Sequence, residues 1–390
     1  MNELFQRAAR MGALLDDSAL QRDVEHLLSA GQERTSPHRD SDDRFRVSPE
    51  LNLDSRSPLS FRDSSAERHP KRFLGTYQSF REVLRNPSRY SVAHVEATTR
   101  LVSAAAFPAF PIKDRKLTIG SSAFWKERLL AAQPQLASAA ESVGCILRSE
   151  RNTVRPLGTA WLLLPSVIVT NRHVASLFCN IKDQRLSFAP GSPETVWLDG
   201  REQINDSLSA PPFQSQRSAA VVEVLHIDKS YDVALLRIDG AATTAWCQAE
   251  PIQLAHALPT PLKDHEVAVI GYPDYQRNVL GTVPHEFTDE EYQRIVGVLT
   301  ESFMPNQGRK LVQPGLLTEL VRRGREPQLQ ILRHSCSTLG GNSGSVVLDL
   351  SSGKALGIHY ASPDWLQDSE AVPAPVLCEL LTRLRLDEHH

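Results

Sequence analysis

Between residues 3 and 30 the stretches "ELFQRAARMGALL" and "LQRDVEHLLSA" place Leu, Phe, Ala and Val three or four positions apart, with Gly31 just beyond them. That period is one face of a helix, and the glycine supplies a stop. The pattern predicts a helical segment over 1–31. From Gln32 to Arg72 the periodicity gives way to Ser, Arg, Asp and Pro ("TSPHRDSDDRFRVSPELNLDSRSPLSFRDSSAERHP"). So few apolar residues cannot repay the entropy of ordering, and 32–72 reads as a polar linker or weakly ordered arm. Helical spacing returns over 73–139 in "SFREVLRN", "AHVEATTRLVSAAA" and "AFWKERLLAAQPQLASAAES", separated by Pro-containing turns.

Near Val143 the texture changes to short β-branched or leucine-rich runs: "WLLLPSVIVT", "AAVVEVLHI", "DVALLRI", "EVAVIGYP", "SVVLDL" and "ALGIHY". Each is bounded by Gly, Pro, Asp or Asn, and several are too apolar to lie half exposed. Many short strands with irregular connections predict an all-β barrel or sandwich over 140–390. An insert is expected at 274–326, carrying the polar, helix-forming "TDEEYQRIVGVLTE". The tail "VPAPVLCELLTRLRL" reads as a closing helix with Pro375 near its first turn. The chain has no internal repeat.

Composition narrows the class. A chain of 390 residues, 41% hydrophobic and 23% charged, can bury ordinary cores in two or three domains. The formal net charge of -3, with no long basic block, gives no reason to expect nucleic acid or an anionic membrane as partner. The opening "MNELFQRAARMGALLDD" lacks the continuous apolar run of a signal peptide, and no later segment approaches a membrane span, so the expectation is a cytoplasmic chain. Five cysteines (Cys145, Cys179, Cys247, Cys336 and Cys378) form no CxxC pair, and their odd number excludes a complete intrachain disulfide set. Histidines and cysteines lack ligand spacing, so neither metal nor cofactor is expected.

Chemistry enters with "STLGGNSGSVVLDL", which sets Ser343 among glycines just before an apolar run. Glycine permits φ > 0 and close approach of backbone N–H groups to a ligand. Upstream, "GTAWLLLPSVIVTNRHVA" puts His173 at the end of an apolar strand, and "DKSYDVALLRI" puts Asp232 just before another. Taken singly, each has an ordinary structural explanation as a strand-end or turn residue. Together they stand in the order His, Asp, Ser, 59 and 111 residues apart. A serine hydroxyl is a poor nucleophile until an imidazole accepts its proton, and a carboxylate fixes the imidazole tautomer. The N–H groups of Gly341 and Ser343 are placed to form an oxyanion hole, worth roughly 3 to 4 kcal/mol per donor in such sites. A G-x-S-x-G elbow is excluded, since position 345 is serine.

The blocks "TAW…VTNRHVA", "DVALLRI" and "GGNSGS…GIHY" resemble the three motifs of the chymotrypsin/trypsin-like serine protease family. The resemblance spans about residues 140–383 and implies a mainly β fold, a double six-stranded β-barrel with the triad at the barrel junction, behind an N-terminal mostly helical extension. It is closer to the bacterial cytosolic branch related to glutamyl endopeptidases. The stretch "VEATTRLV…FPAFPI" with "FWKERLLAA" resembles the helical region that precedes the protease in fused members. Digestive-type members carry a cysteine after the histidine and an aspartate before the serine; Val174 and Asn342 stand there, which removes that disulfide and the zymogen salt bridge.

By the same resemblance, Ser337, Thr338, His359 and Ser362 line the primary substrate pocket. Ser337 occupies the place of the trypsin-type carboxylate, while Thr338, His359 and Ser362 resemble the set that holds an acidic side chain. Ala361 and Ser362 replace a Gly-Gly pair and narrow the pocket, and a pocket for small apolar side chains, with His359 a plain core histidine, is the competing reading. The expected function is serine endopeptidase acting on protein or peptide substrates, with a regulatory protein partner acting through residues 1–139. The alternative is a catalytically inactive, protease-like binding module.

Overall fold

An amphipathic helix needs a partner for its apolar stripe, and the N-terminal helices find one in each other and in the β domain behind them. The computed structural model describes residues 2–33, 77–120, 122–150, 153–187, 195–204, 217–239, 249–273, 308–324, 329–338, 340–361 and 368–386. Helices α1 (Asn2–Leu14), α2 (Ser18–Glu33) and α3 (Tyr77–Arg85) pack around α4 (Val92–Ala106). Ser91 caps α4, its hydroxyl accepting from the His94 N–H. The buried Ala97, Thr98, Thr99, Ser103 and Ala104 let neighbours approach α4 closely. Asp23 of α2 accepts from the Ala123 and Phe124 N–H groups at 2.7 and 3.1 Å and from the Ser122 hydroxyl. Helices α5 (Lys126–Ala131) and α6 (Gln133–Glu141) follow and lead into the β domain.

The segment 73–139 is not wholly helical. Strands β1 (Phe110–Lys113) and β2 (Lys116–Leu117) form a hairpin, and β1 pairs with a strand of the second barrel, Phe110 opposite Val312. Its two-residue turn holds Asp114 and Arg115 at φ 52° and 61°, the left-handed pair such hairpins need. Neither residue is the usual Gly or Asn. Their N–H groups instead donate to the Glu202 carboxylate at 2.8 and 2.7 Å.

Strands β3 (Val143–Glu150), β4 (Thr153–Leu164), β5 (Val167–Thr170), β8 (Thr195–Asp199), β9 (Ser218–Ile227) and β10 (Ala234–Ile238) close an antiparallel barrel in the order β10-β5-β4-β3-β8-β9. A one-turn helix, α7 (Arg172–Ala175), follows β5, and a small ribbon of β6 (Cys179–Asn180) with β7 (Arg185–Leu186) lies outside the ring. Ile146, Leu162, Ile168, Leu198 and Leu236 belong to its core. The second barrel joins β11 (Glu266–Gly271), β12 (Leu311–Arg323), β13 (Leu329–His334), β14 (Val346–Asp349), β15 (Ala355–Ala361) and β16 (Ser369–Pro373). They run β11-β14-β15-β16-β13-β12, and β12 returns to β11, Val269 opposite Gln313. Helix α8 (Ala374–Leu384) closes the chain with Pro373 as its N-cap and Pro375 in its first turn. The expected double β-barrel with an N-terminal mostly helical extension is the fold.

The insert expected at 274–326 extends too far. Residues 311–323 of it are β12, a thirteen-residue barrel strand. Pro314 and Gly315 in "LVQPGLLTELVRR" read as a break, yet Gly315 stays in the ladder because Cys336 crosses so close that a Cβ would lie 2.6 Å from its N. The segment "TDEEYQRIVGVLTE", the greater part of the 32–72 arm and Cys247 lie outside the described residues. Among the described residues no helix is long and apolar enough to cross a membrane.

One buried lysine pins the three parts together. Lys310 is buried, and its Nζ donates to the Ala140 carbonyl of α6 at 2.6 Å and to the Gly200 carbonyl beyond β8 at 3.0 Å. Burial pulls its amine down to about 7, the nearby Arg217 adding to the effect. Between that value and the ordinary 10.5 the unfolded chain binds a proton that the folded chain does not, so stability rises with pH through this window. Lys310→Met is expected to lower the unfolding free energy by roughly 2–4 kcal/mol by stranding two carbonyls. In urea titrations the gap between wild type and variant should widen from pH 7 to 9, by about 2 kcal/mol.

Candidate active site

Strand β5 is buried at every position and ends at Thr170, so the chain leaves the barrel there. Asn171, fully buried, donates from Nδ2 to the backbone carbonyl of Asp232 at 2.9 Å. The turn into α7 then delivers His173, whose backbone N–H donates to Asp232 Oδ1 at 2.9 Å while ring Nδ1 lies 2.5 Å from Oδ2. Both carboxylate oxygens thus engage one residue, fixing its backbone and its ring together. Asp232 follows a turn closed by Asp228, which accepts from the N–H groups of Ser230 and Tyr231, each at 2.8 Å. Burial alone would raise the Asp232 carboxyl; the hydrogen bonds and charge of His173, with Arg172 nearby, outweigh it and hold the carboxyl below its ordinary range. The His173 side chain is 49% exposed, which leaves its outer face open to a ligand.

Ser343 arrives from the other barrel on a glycine-rich loop. Gly341 and Gly344 sit at φ 82° and 90°, and a Cβ on Gly344 would fall 2.0 Å from the Thr159 carbonyl oxygen. Thr159 of β4 anchors the loop: its N–H donates to the Ser343 carbonyl and its hydroxyl to the Gly341 carbonyl, both at 2.8 Å. The same hydroxyl accepts from the Tyr272 N–H at 3.1 Å, and the Thr159 carbonyl accepts from the Thr170 hydroxyl at 2.8 Å. One buried residue therefore joins the serine loop, the second barrel and the end of the strand that carries His173. Gly158 sits between them, since a Cβ there would meet Val174 Cγ2 at 2.9 Å and the Ser343 carbonyl at 3.1 Å. Among the described residues the Ser343 hydroxyl makes no hydrogen bond to His173.

Three of the four residues expected to line the pocket fall into one buried polar cluster. Ser337, Thr338 and His359 are all buried, and Ser362 lies outside the described residues. Ser337 offers its carbonyl to Gln313 Nε2. Thr338 Oγ1 lies 2.8 Å from Ser369 Oγ, and Ser369 stands opposite His334 in the β13/β16 ladder. His334 Nε2 is 3.3 Å from His359 Nδ1, the rings edge to face. Burial pushes His334 down to about 3, helped by the charge of Arg7, and pushes His359 well below its ordinary value, with His334 and His173 adding to it. Both imidazoles are neutral at physiological pH.

A model of the trypsin-like peptidase domain matches residues 158–358, a span that includes His173, Asp232 and Ser343. The chain belongs to this family of trypsin-like peptidases. Among solved structures it is similar to the inactive form of the Rv3671c protease of M. tuberculosis, at 18% identity over 66% of this chain and 95% of that one, with a TM-score of 0.39. The active form of the same protease gives 19%, 66%, 86% and 0.39. The serine endoprotease of Yersinia pestis gives 17%, 66%, 67% and 0.37. No curated protein sequence matches the chain.

Within this trypsin-like peptidase domain, Asn342 is buried and its side-chain oxygen accepts from the Ser345 hydroxyl at 3.3 Å. An uncharged residue thus fills the place where digestive members hold an aspartate. Sequence reasoning missed His334, Ser369 and Gln313. The one trace was "LQILRH", where His334 shares the period-2 face of the buried Leu332. Thr159→Val, which keeps the shape and removes the hydroxyl, is expected to cost about 1–3 kcal/mol of stability by leaving the Gly341 carbonyl and Tyr272 N–H without that partner. Chemical denaturation of the two proteins measures it.

Proposed function

We propose that the chain is a serine endopeptidase in which His173, Asp232 and Ser343 act as one triad. The observation that carries this reading is the double hydrogen bond from Asp232 to the backbone and ring of His173, beside a glycine loop that holds Ser343 at the barrel seam. Ser343 Oγ attacks the peptide carbonyl while His173 Nε2 takes its proton. Asp232 holds the tautomer that leaves Nε2 free to accept and stabilises the imidazolium that forms. The N–H groups of Gly341 and Ser343 receive the oxyanion. His173 then protonates the leaving amine, the C–N bond breaks, and water repeats the sequence on the acyl-enzyme. The missing Ser343–His173 hydrogen bond favours the second reading, an inactive binding module, although such bonds commonly tighten only around substrate.

The pocket chemistry supports an acidic side chain before the cut, as in glutamyl endopeptidases. Hydroxyls and neutral imidazoles are donors without charge, and a carboxylate makes their hydrogen bonds stronger. Control is assigned to the N-terminal region and a protein partner, since Asn342 has no charge to pair with a new amino terminus. Cys145, Cys179, Cys336 and Cys378, which form no disulfide among the described residues, fit the reducing cytoplasm.

A fluorophosphonate probe is expected to label Ser343, and Ser343→Ala and His173→Ala to abolish both labelling and peptide hydrolysis with the fold intact. Asp232→Asn should cost roughly 10⁴-fold in kcat by allowing the wrong tautomer. Hydrolysis by Ser343→Ala at the wild-type rate would sink the triad, and an unlabelled wild type would favour the binding module. Peptide-library profiling should show Glu or Asp before the cut, a preference lost in His359→Ala. With both histidines neutral, that preference should stay level from about pH 5 to 8; a preference for Ala, Val or Leu that ignores His359→Ala replaces the acidic pocket with the apolar one.

A further inference from the structure

Helix α1 reaches the pocket cluster. Arg7 is buried at 5% exposure, with its NH1 3.8 Å from Asp368 Oδ1, and Arg10 donates from NH2 to Oδ2 at 2.8 Å. Three residues apart, the two guanidiniums lie on one helix face. The Asp368 side chain is only 4% exposed, and among the described residues these two are the cations within ion-pair distance of it. Asp368 leads directly into β16. The next residue, Ser369, pairs with His334 and meets the Thr338 hydroxyl, and His334 meets His359. A single peptide unit thus separates a carboxylate held by the first helix from the hydroxyl and imidazole pair of the pocket.

A carboxylate this deep is tolerable only while its cations are present, because removing one partner of a buried pair leaves an uncompensated charge. With α1 in place, Asp368 stays inside and Ser369 stays in register. With α1 displaced, Asp368 has to turn to water, and Ser369 moves with it. Leu4, Ala8, Met11 and Leu15 of the same helix belong to the continuous apolar core, so docking does not rest on the charges alone.

We propose that α1 is an intramolecular clamp on the substrate pocket, with Arg7 and Arg10 as positioning residues that hold Asp368 and so set the Ser369 hydroxyl and the histidine pair for a substrate side chain. This rests on reading Ser337, Thr338 and His359 as that pocket, and it gives the N-terminal region a physical route to the site. A partner that pulls on α1 loosens the pocket, and one that seats it tightens the pocket.

The test uses the full chain with Asp368→Asn, Arg10→Gln and Arg10→Lys. Two kinetic readouts are compared: the labelling rate of Ser343 by a small ethoxy fluorophosphonate, which leaves the pocket empty, and kcat and KM on the best library peptide. In Asp368→Asn, kcat/KM should fall about tenfold or more, chiefly through KM, with labelling within about twofold of wild type. Arg10→Gln should show a smaller loss of the same kind, and Arg10→Lys should recover it. Should Asp368→Asn fail to fold, Arg10→Gln decides, its site being 35% exposed. Folded variants with wild-type kcat/KM overturn the clamp, as does an equal loss of labelling and hydrolysis, which places the damage at the catalytic centre. A wild type that neither labels nor cleaves refutes the protease reading instead. The clamp is then judged by the ring-carbon NMR signals of His334 and His359, which should move in Arg10→Gln and return in Arg10→Lys; unmoved signals overturn it.

Discussion

The relations within the site pass through Thr159. Its N–H, hydroxyl and carbonyl bind, respectively, the Ser343 carbonyl, the Gly341 carbonyl with the Tyr272 N–H, and the Thr170 hydroxyl. Apolar contact between two barrels that share no strand is non-directional and fixes no register. Directional bonds from one buried residue do fix it. His173 lies three residues past Thr170, so its distance from the serine loop is set by backbone that cannot stretch. The glycine at 344 is the other half of this constraint, since any side chain there would collide with the Thr159 carbonyl.

How much of this the chain spells out depends on whether a residue's meaning is local. His173, Asp232 and Ser343 stand at the ends of apolar runs, where period and turn residues mark the boundary, and their order is what suggests the chemistry. The hairpin at Phe110 to Leu117 was invisible because Asp114 and Arg115 reach left-handed φ with help from Glu202, far along the chain. Strand β12 was hidden by its own Pro314 and Gly315, whose place in the ladder depends on the crossing at Cys336. The histidine pair needs the β13, β15 and β16 register before His334 and His359 can meet, and no short window contains it. Arg7 is the sharpest case. Three residues after Leu4 and four before Met11, it lies on the apolar stripe of α1, and its partner Asp368 is more than three hundred residues away.

Electrostatics in the two regions runs in opposite directions. Beside His173, Asp232 is kept charged by a partner that uses both of its oxygens, while the imidazole faces solvent. In the buried cluster of His334 and His359, the histidines are kept neutral by burial, and charge is confined to Asp368 with its arginines and to Glu370 of β16, which Arg323, Arg333 and Tyr360 enclose. One proton must be shared along the His334–His359 contact, because two neutral rings at hydrogen-bond distance need one donor and one acceptor. A ligand that fixes the tautomer of one ring fixes the other.

The pairing of Phe110 with Val312 bears on how the chain is made. Strand β1 leaves the ribosome long before β12 exists, so the nascent helical region carries an open edge with unpaired N–H and C=O groups. Its protection is the tight hairpin with β2, which satisfies one side and leaves the other waiting. The helical region and the second barrel therefore mature as a single cooperative unit, and cutting the chain between them would uncover the flank of β12 as a sticky strand.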